Sequence, residues 1–394
     1  MKLKTITASW LLSATLAASA TPFDDALATL LANNLAPRAE QLRAQAGIET
    51  MKADNQLPPP EAEFSRVWGS NAEVGNKWAL SISQGFDWPG IYSARREAVR
   101  KARTASQYLY ESTLLEARAE ARQLLIDAIH NAQLLDMQTE LAGYVDAMVE
   151  IYRKGAEEGT ETRLDYNKTV LERIAVHREL HALEAQQAEL VAQITAFNGG
   201  LDPAPILAMA GKEYPVAPAL PSAPTADMLR QRDPAYAAAM AQSEAARSLV
   251  KVENRSRFPG FSIGYEHETE LGGNFDGFSI GITLPTFTRK HQAKAAALEA
   301  EAALIDAEMQ LAKVSATMSG DLRRLTALRE VIDEYEPVIN DPSNIQLLRK
   351  AFEAGQITYL TFIEESNYFI SARRDYIDIL WEYHTLLANL AKYE

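Results

Sequence analysis

The chain has 394 residues, room for two or three domains, and no cysteine. Disulfides, thiolate metal clusters, a cysteine nucleophile and a lipid-bearing N-terminal cysteine are therefore excluded. Its 39 Lys and Arg against 53 Asp and Glu leave a net charge of −14, which argues against a protein that grips nucleic-acid phosphates.

The first twenty positions carry the pattern of an export signal. Lys2 and Lys4 precede an apolar stretch from Ala8 to Ala18, and Ala18-Ser19-Ala20 is a small-x-small cleavage site. Removing it takes two lysines and no acid from −14, so the mature chain, starting at Thr21, carries −16. Beyond it no apolar run reaches the roughly 18 residues a membrane helix needs.

A first extended hairpin is expected over about 62–88, with Ala62 to Trp68 and Trp78 to Trp88 flanking a polar loop from Gly69 to Lys77. From Tyr92 to about Lys154 there is no Pro and only Gly143, so one helix of roughly 60 residues is predicted. Its apolar positions, among them Leu114, Ala117, Ala121, Leu124, Ala142, Val145, Val149 and Tyr152, recur at the coiled-coil spacings. After a turn at Gly155 to Gly159 the chain returns through Tyr166, Val170, Ile174, Leu180, Leu183, Leu190, Ile194 and Phe197, closing an antiparallel helical hairpin over about 92–198. Residues 199–225 hold six prolines and predict a connector that sustains no helix. Ala226 to Glu253 is helical again, and a second extended hairpin follows over about 261–287. There Phe261 to Glu266 and Phe278 to Phe287 flank His267 to Gly277. A second helical hairpin, about 290–392, is interrupted by Pro337 and Pro342.

The second half repeats the first. Pro59-Pro60 aligns with Pro259-Gly260, and Trp78 to Gln84 with Phe278 to Leu284, both at an offset of 200. Arg153 to Gly159 aligns with Arg349 to Gly355 at 196, one helical turn less. The reading is an internal duplication, with repeats at 21–198 and 226–394 joined by the connector at 199–225.

In the extended segments Leu80, Ile82, Gln84 and Phe86 alternate with Ser81, Ser83 and Gly85, and Phe278, Ile280, Ile282 and Leu284 with Ser279, Gly281 and Thr283. Ten-residue segments with this pattern suit transmembrane β-strands. Four strands cannot close a barrel, so in lipid other copies of the chain would have to complete it. Two soluble hairpins capping a helical bundle remain the alternative.

The arrangement resembles the TolC-type outer-membrane efflux proteins along the whole mature chain. The resemblance rests on Ser83-Gln-Gly-Phe-Asp-Trp-Pro-Gly-Ile-Tyr-Ser-Ala-Arg-Arg96, its counterpart Thr283-Leu-Pro-Thr-Phe287, and Phe352-Glu-Ala-Gly-Gln-Ile-Thr-Tyr-Leu360. Arg373-Arg374-Asp375-Tyr376 and Glu382-Tyr383 follow. The segment Gln84 to Gly90 is most similar to the heavy-metal cation subgroup.

The resemblance implies a mainly α fold with a small β part: helical hairpins forming an α-barrel, and four strands per chain contributing to a trimeric 12-stranded transmembrane β-barrel. It implies a homotrimer in the outer membrane of a Gram-negative bacterium, in contact with lipid and extending into the periplasm. A periplasmic adaptor would meet it at the turns carrying Gly155, Gly159, Gly355 and Thr358, and an inner-membrane pump would complete the system. Asp165 and Glu364 match acids that narrow the periplasmic entrance, while Lys168 and Thr361 occupy the reciprocal places and break the pattern. No nucleic acid and no cofactor enter this reading.

Enzyme constellations are missing: there is no phosphate-cradling loop, nucleophile elbow or calcium loop. His177 and His181 share a helix face one turn apart, with Glu184 one turn on, and are weak candidates for a metal; a solvated pair is the simpler reading. The other four histidines read as surface or packing residues. The functional expectation is a non-enzymatic exit duct of a tripartite efflux system, passing metal cations or small toxic compounds outward. The alternative is a soluble periplasmic coiled-coil adaptor.

Overall fold

The computed structural model describes residues 21–70, 75–217, 226–270, 272–284, 289–339 and 343–392, and the export-signal expectation lies outside them. Within these residues there are ten helices and four strands. The chain folds into two compact units that cut across the halves of the sequence. One takes residues 21–35, 118–217 and 324–392; the other takes 36–117 and 226–323.

In the first unit, α1 (Pro22–Asn33) starts on a reciprocal cap: Thr21 accepts from the Asp24 amide and Asp24 from the Thr21 amide, with Pro22 where no amide partner is needed. The 70-residue α3 (Pro89–Glu158) supplies its second part to this unit, and α4 (Arg163–Phe197) runs back along it. Phe23, Leu27 and Leu30 of α1 meet Ala121, Leu125, Ile126 and Ile129 of α3 and Ile194 of α4 in one core cluster. Farther along, the seam of α4 is Thr169, Val176 and Leu183, one residue every seven, packed on α3 through Val145, Ala142 and Leu134. Ile174, expected on that seam, is exposed, and Tyr166, Val170, Leu180, Leu190 and Phe197 are half-buried, because the seam falls on the heptad through Val176.

Two expectations are corrected by proline placement. The connector does hold a helix, α5 (Ala204–Ala210): Pro205 sits in its first turn, where a missing amide costs nothing, and Ile206 and Ala210 bury against α1. The helix expected over 226–253 is two, α6 (Ala226–Arg232) and α7 (Pro234–Arg255), since Asp233 caps the second through the Ala235 amide and Pro234 opens it.

The second unit contains α2 (Ala36–Ala53), the first part of α3, α6, α7 and one sheet. Helix α8 (Arg289–Ile339) buries Ala293, Ala300, Ala307 and Val314, then Leu311, Met318, Leu325 and Ile332, two interleaved seven-residue series. The alanines let α7 come close enough for Ser243 to donate to the Ala300 carbonyl at 3.2 Å. Pro337 lies in the last turn of α8, so the helix runs through it, whereas Pro342 lies outside the described residues. Helices α9 (Ser343–Glu353) and α10 (Tyr359–Leu390) complete the chain. No described helix is long and apolar enough to cross a membrane.

The sheet is an antiparallel meander, β1 (Glu61–Trp68), β2 (Asn76–Phe86), β3 (Gly260–Glu270) and β4 (Gly273–Thr283), with β1 and β4 at its edges. The second hairpin is longer than expected. His267 pairs with Asp276 and Glu270 with Gly273, so most of the anticipated loop at 267–277 is strand. Its polar side chains alternate correctly with the rest of the sheet, and only two positions separate the end of β3 from the start of β4. Strand β2 ends at Phe86, short of Trp88, and the end expected for β4 at Phe287 lies outside the described residues.

Candidate functional site: a two-faced sheet and two matched turns

Register sorts the sheet's side chains into two chemically different faces. Phe64 opposes Leu80, Ala62 opposes Ile82, Ile82 opposes Tyr265, and Tyr265 opposes Phe278, so these side chains share one face with Trp78, Phe86, Phe261, Ile263, Ile280 and Ile282. That face is open and, apart from Gln84, which donates to the Pro58 carbonyl, apolar over these rows: Phe278 is 86% and Ile280 82% exposed. Aromatic pairs bind neighbouring strands, Phe86 on Phe261 at 5.4 Å and Tyr265 against Phe278 at 5.8 Å. Toward the hairpin ends the face turns polar, with Arg66 over Trp68 and with Tyr265 and His267 both bonded to Asp276, at 2.5 and 2.8 Å.

The opposite face is small and charged. Ser65, Ser81, Ser83, Ser262 and Ser279 lie among Gly85, Gly264, Gly277 and Gly281. On the same face, Glu63 opposes Ser81, which opposes Glu266; Glu61 falls in the row below, and Glu268 and Glu270 in the rows above. Lys77 is the sole cationic side chain on this face among the described strand residues, and it pairs with Glu268. The alternation of β2 and β4 was legible in the sequence. The glutamates were not, because a loop assignment at 267–277 gives Glu268 and Glu270 no face.

The helical turns are built alike. Helix α3 ends at Gly159, φ +77°, and Thr162 caps α4 by accepting from the Asp165 amide at 3.1 Å. Helix α9 ends at Gly355, φ +69°, and Thr358 caps α10 by accepting from the Thr361 amide at 3.2 Å. Both glycines hold the left-handed conformation that ends a helix without a Cβ clash. Gly155 is still helical and lies under Glu161, whose side chain stands where a Cβ would go.

Asp165 takes the hydroxyl hydrogen of Thr162 at 2.5 Å and pairs with Lys168 at 3.5 Å. The Thr162 hydroxyl first, then Lys168, holds its carboxyl below the usual aspartate range. Its side chain thus holds the hydroxyl that caps α4, which the Thr-x-x-Asp spacing could have revealed. Glu364 lies on α10, and its side chain is outside what the structure describes.

The two candidate metal residues turn to separate acids. His177 contacts Asp146 at 3.1 Å and His181 contacts Glu184 at 2.9 Å, with the rings 6.3 Å apart. Arg173 and Arg178 line the same shallow groove, which disfavours a divalent cation. Among the described residues no three His, Asp or Glu side chains are grouped to hold a metal.

No family model matches the chain. It is 24% identical to the cobalt-zinc-cadmium resistance protein CzcC of Cupriavidus metallidurans, over 74% of this chain and 70% of that protein. The fold superposes on a membrane protein of Pseudomonas aeruginosa with a TM-score of 0.74 at 15% identity, covering 94% of this chain and 93% of the other. It superposes on the CmeC outer membrane channel of Campylobacter jejuni with a TM-score of 0.77 at 15% identity, covering 94% and 85%. The resemblance to the TolC-type outer-membrane efflux proteins is borne out at the level of fold: with its four strands and paired long helices, this chain shares the fold of outer-membrane channels such as CmeC.

Proposed function

We propose that the chain is one protomer of an outer-membrane exit duct in a Gram-negative bacterium, the outer part of a tripartite efflux system. The observation that carries this reading is the sheet: one face apolar from Ile82 to Phe86 and across the same rows of β3 and β4 apart from Gln84, with β1 and β4 at its open edges. In water such a face and such edges invite aggregation; in lipid the face is matched and the edges must close on other copies. Three copies would give twelve strands, with the glutamate face turned inward.

The proteins that share the fold are channels rather than enzymes, and nothing in it favours the soluble adaptor. A periplasmic adaptor, with its inner-membrane pump, would dock at the turns around Gly159 and Gly355. Asp165 and Glu364 would stand near a periplasmic constriction. Five glutamates per chain on the inner face, against Lys77, suit cations as cargo, as does the resistance to cobalt, zinc and cadmium for which CzcC is named. The matched turns also support internal duplication, since Gly159 and Thr162 recur at Gly355 and Thr358 with the 196-residue offset.

The test is extraction and mass. The protein should leave membranes only in detergent, run as a trimer and form conducting pores in planar bilayers. A monodisperse monomer in plain buffer would overturn the reading.

A further inference from the structure

One cluster in the first unit plays no part in the duct reading. After α5, residues 211–217 run as irregular chain held by contacts to α3 and α10. Lys212 pairs with Asp136 at 2.6 Å, Gln133 donates to the Lys212 carbonyl at 2.7 Å, and the Tyr214 ring stacks on His384 at 4.4 Å with an 8° interplanar angle. His384 is only 8% exposed, with Tyr383 edge-on at 5.5 Å.

The charged groups around this stack are already engaged. Asp127 of α3 and Asp378 of α10 face Tyr214; Trp381 and Gln123 donate to the first, at 2.6 and 2.8 Å, and His130 bonds the second at 2.7 Å. Arg329 of α8 pairs with Asp333 and reaches Tyr383. Burial is the one cause acting on His384, and it brings the imidazole down to about 4.

We propose that Tyr214 and His384 form an acid-released clamp, which keeps residues 211–217 docked on α3 and α10 at neutral pH and frees them as the medium turns acid. An imidazolium confined in the closed stack would lose its hydration with no carboxylate beside it. The direction follows from linkage. Undocked, His384 takes a proton near its ordinary 6.5; docked, it does so only at about 4. Docking is thus insensitive to this ring above about pH 6.5 and weakens by up to about tenfold per pH unit down to about pH 4.

The full-length protein in detergent tests this directly. It has no cysteine, so Val216→Cys, at a position 92% exposed, accepts one spin label. The mobile component of the spectrum should rise reversibly between pH 7 and 4.5, while His384→Phe in the same background should stay immobile at both. A spectrum independent of pH in the otherwise unmodified protein, or an equal response in the His384→Phe variant, overturns the clamp. Hydrogen exchange of residues 211–217, corrected for intrinsic rates, provides a measurement without any substitution. Protection lost between pH 6.5 and 4.5 supports the clamp, and constant protection refutes it.

Discussion

At the residue scale, single hydroxyls decide where the helices begin. Thr358 satisfies one of the otherwise unpaired amides of α10, so Thr358→Ala should cost about 1 kcal/mol locally. Hydrogen exchange in the first turn of α10 should quicken by roughly fivefold, with distant segments unchanged. At the neighbouring turn, Thr162→Ala removes the main cause that keeps Asp165 acidic, so its carboxyl should climb back toward the ordinary range in an NMR titration. Gly159 and Gly355 are constrained differently: in the left-handed region a β-branched residue is strained by about 1–3 kcal/mol. Gly159→Val with Gly355→Val should therefore abolish export, if an adaptor docks there, while the oligomer persists in detergent; unchanged export would reject docking at these turns.

At the element scale, the proposed duct lets the sheet separate stability from selectivity, because its two faces would meet different surroundings. On the apolar face Ile280 lies along β4 between Phe278 and Ile282, so in the proposed barrel Ile280→Arg would place a guanidinium against hydrocarbon, at about 2–4 kcal/mol near the midplane. The yield of detergent-extracted oligomer should fall, whereas Ile280→Val should leave it unchanged. On the other face, Glu61, Glu63, Glu266 and Glu270 lack the lysine that meets Glu268. Changing all four to Gln should leave assembly intact and move the cation-to-anion permeability ratio toward one, read as a reversal potential under a salt gradient. An unchanged ratio would show that this face does not line the pore.

At the scale of the whole molecule, the proposed duct offers two candidate groups of carboxylates for ion preference, and they can be told apart. Fields from the turns decay over a Debye length of ~8 Å in physiological salt, so Asp165 and Glu364 can act only where copies of the turn converge. Asp165→Asn with Glu364→Gln should abolish block by divalent cations if a periplasmic constriction carries them, and a trace identical to the unmodified protein would place both outside the pore. The contacts of the Asp165 carboxylate with the Thr162 hydroxyl and Lys168 offer a reason for Asp165 that requires no pore at all, which is why the conductance measurement, and not sequence position, decides its role.

What the sequence by itself determined was periodic. The heptad spacing along α3, the two-residue alternation of β2 and β4, and the glycine turns at Gly159 and Gly355 are local patterns, each set by backbone geometry over a few residues. Those elements fall close to where the spacing puts them. Where proline sat in a first turn the expectation erred, because a ring that ends a helix in its interior is harmless at its start; hence α5 and the division at Asp233. Only tertiary structure decided the rest. Strand pairing turned the acidic stretch of the second hairpin into a row of glutamates on one face, since register, and not composition, fixes which way a side chain points. It likewise brought Tyr214 onto His384, 170 residues away, a contact with no local signature because it depends on how the connector packs across two helices.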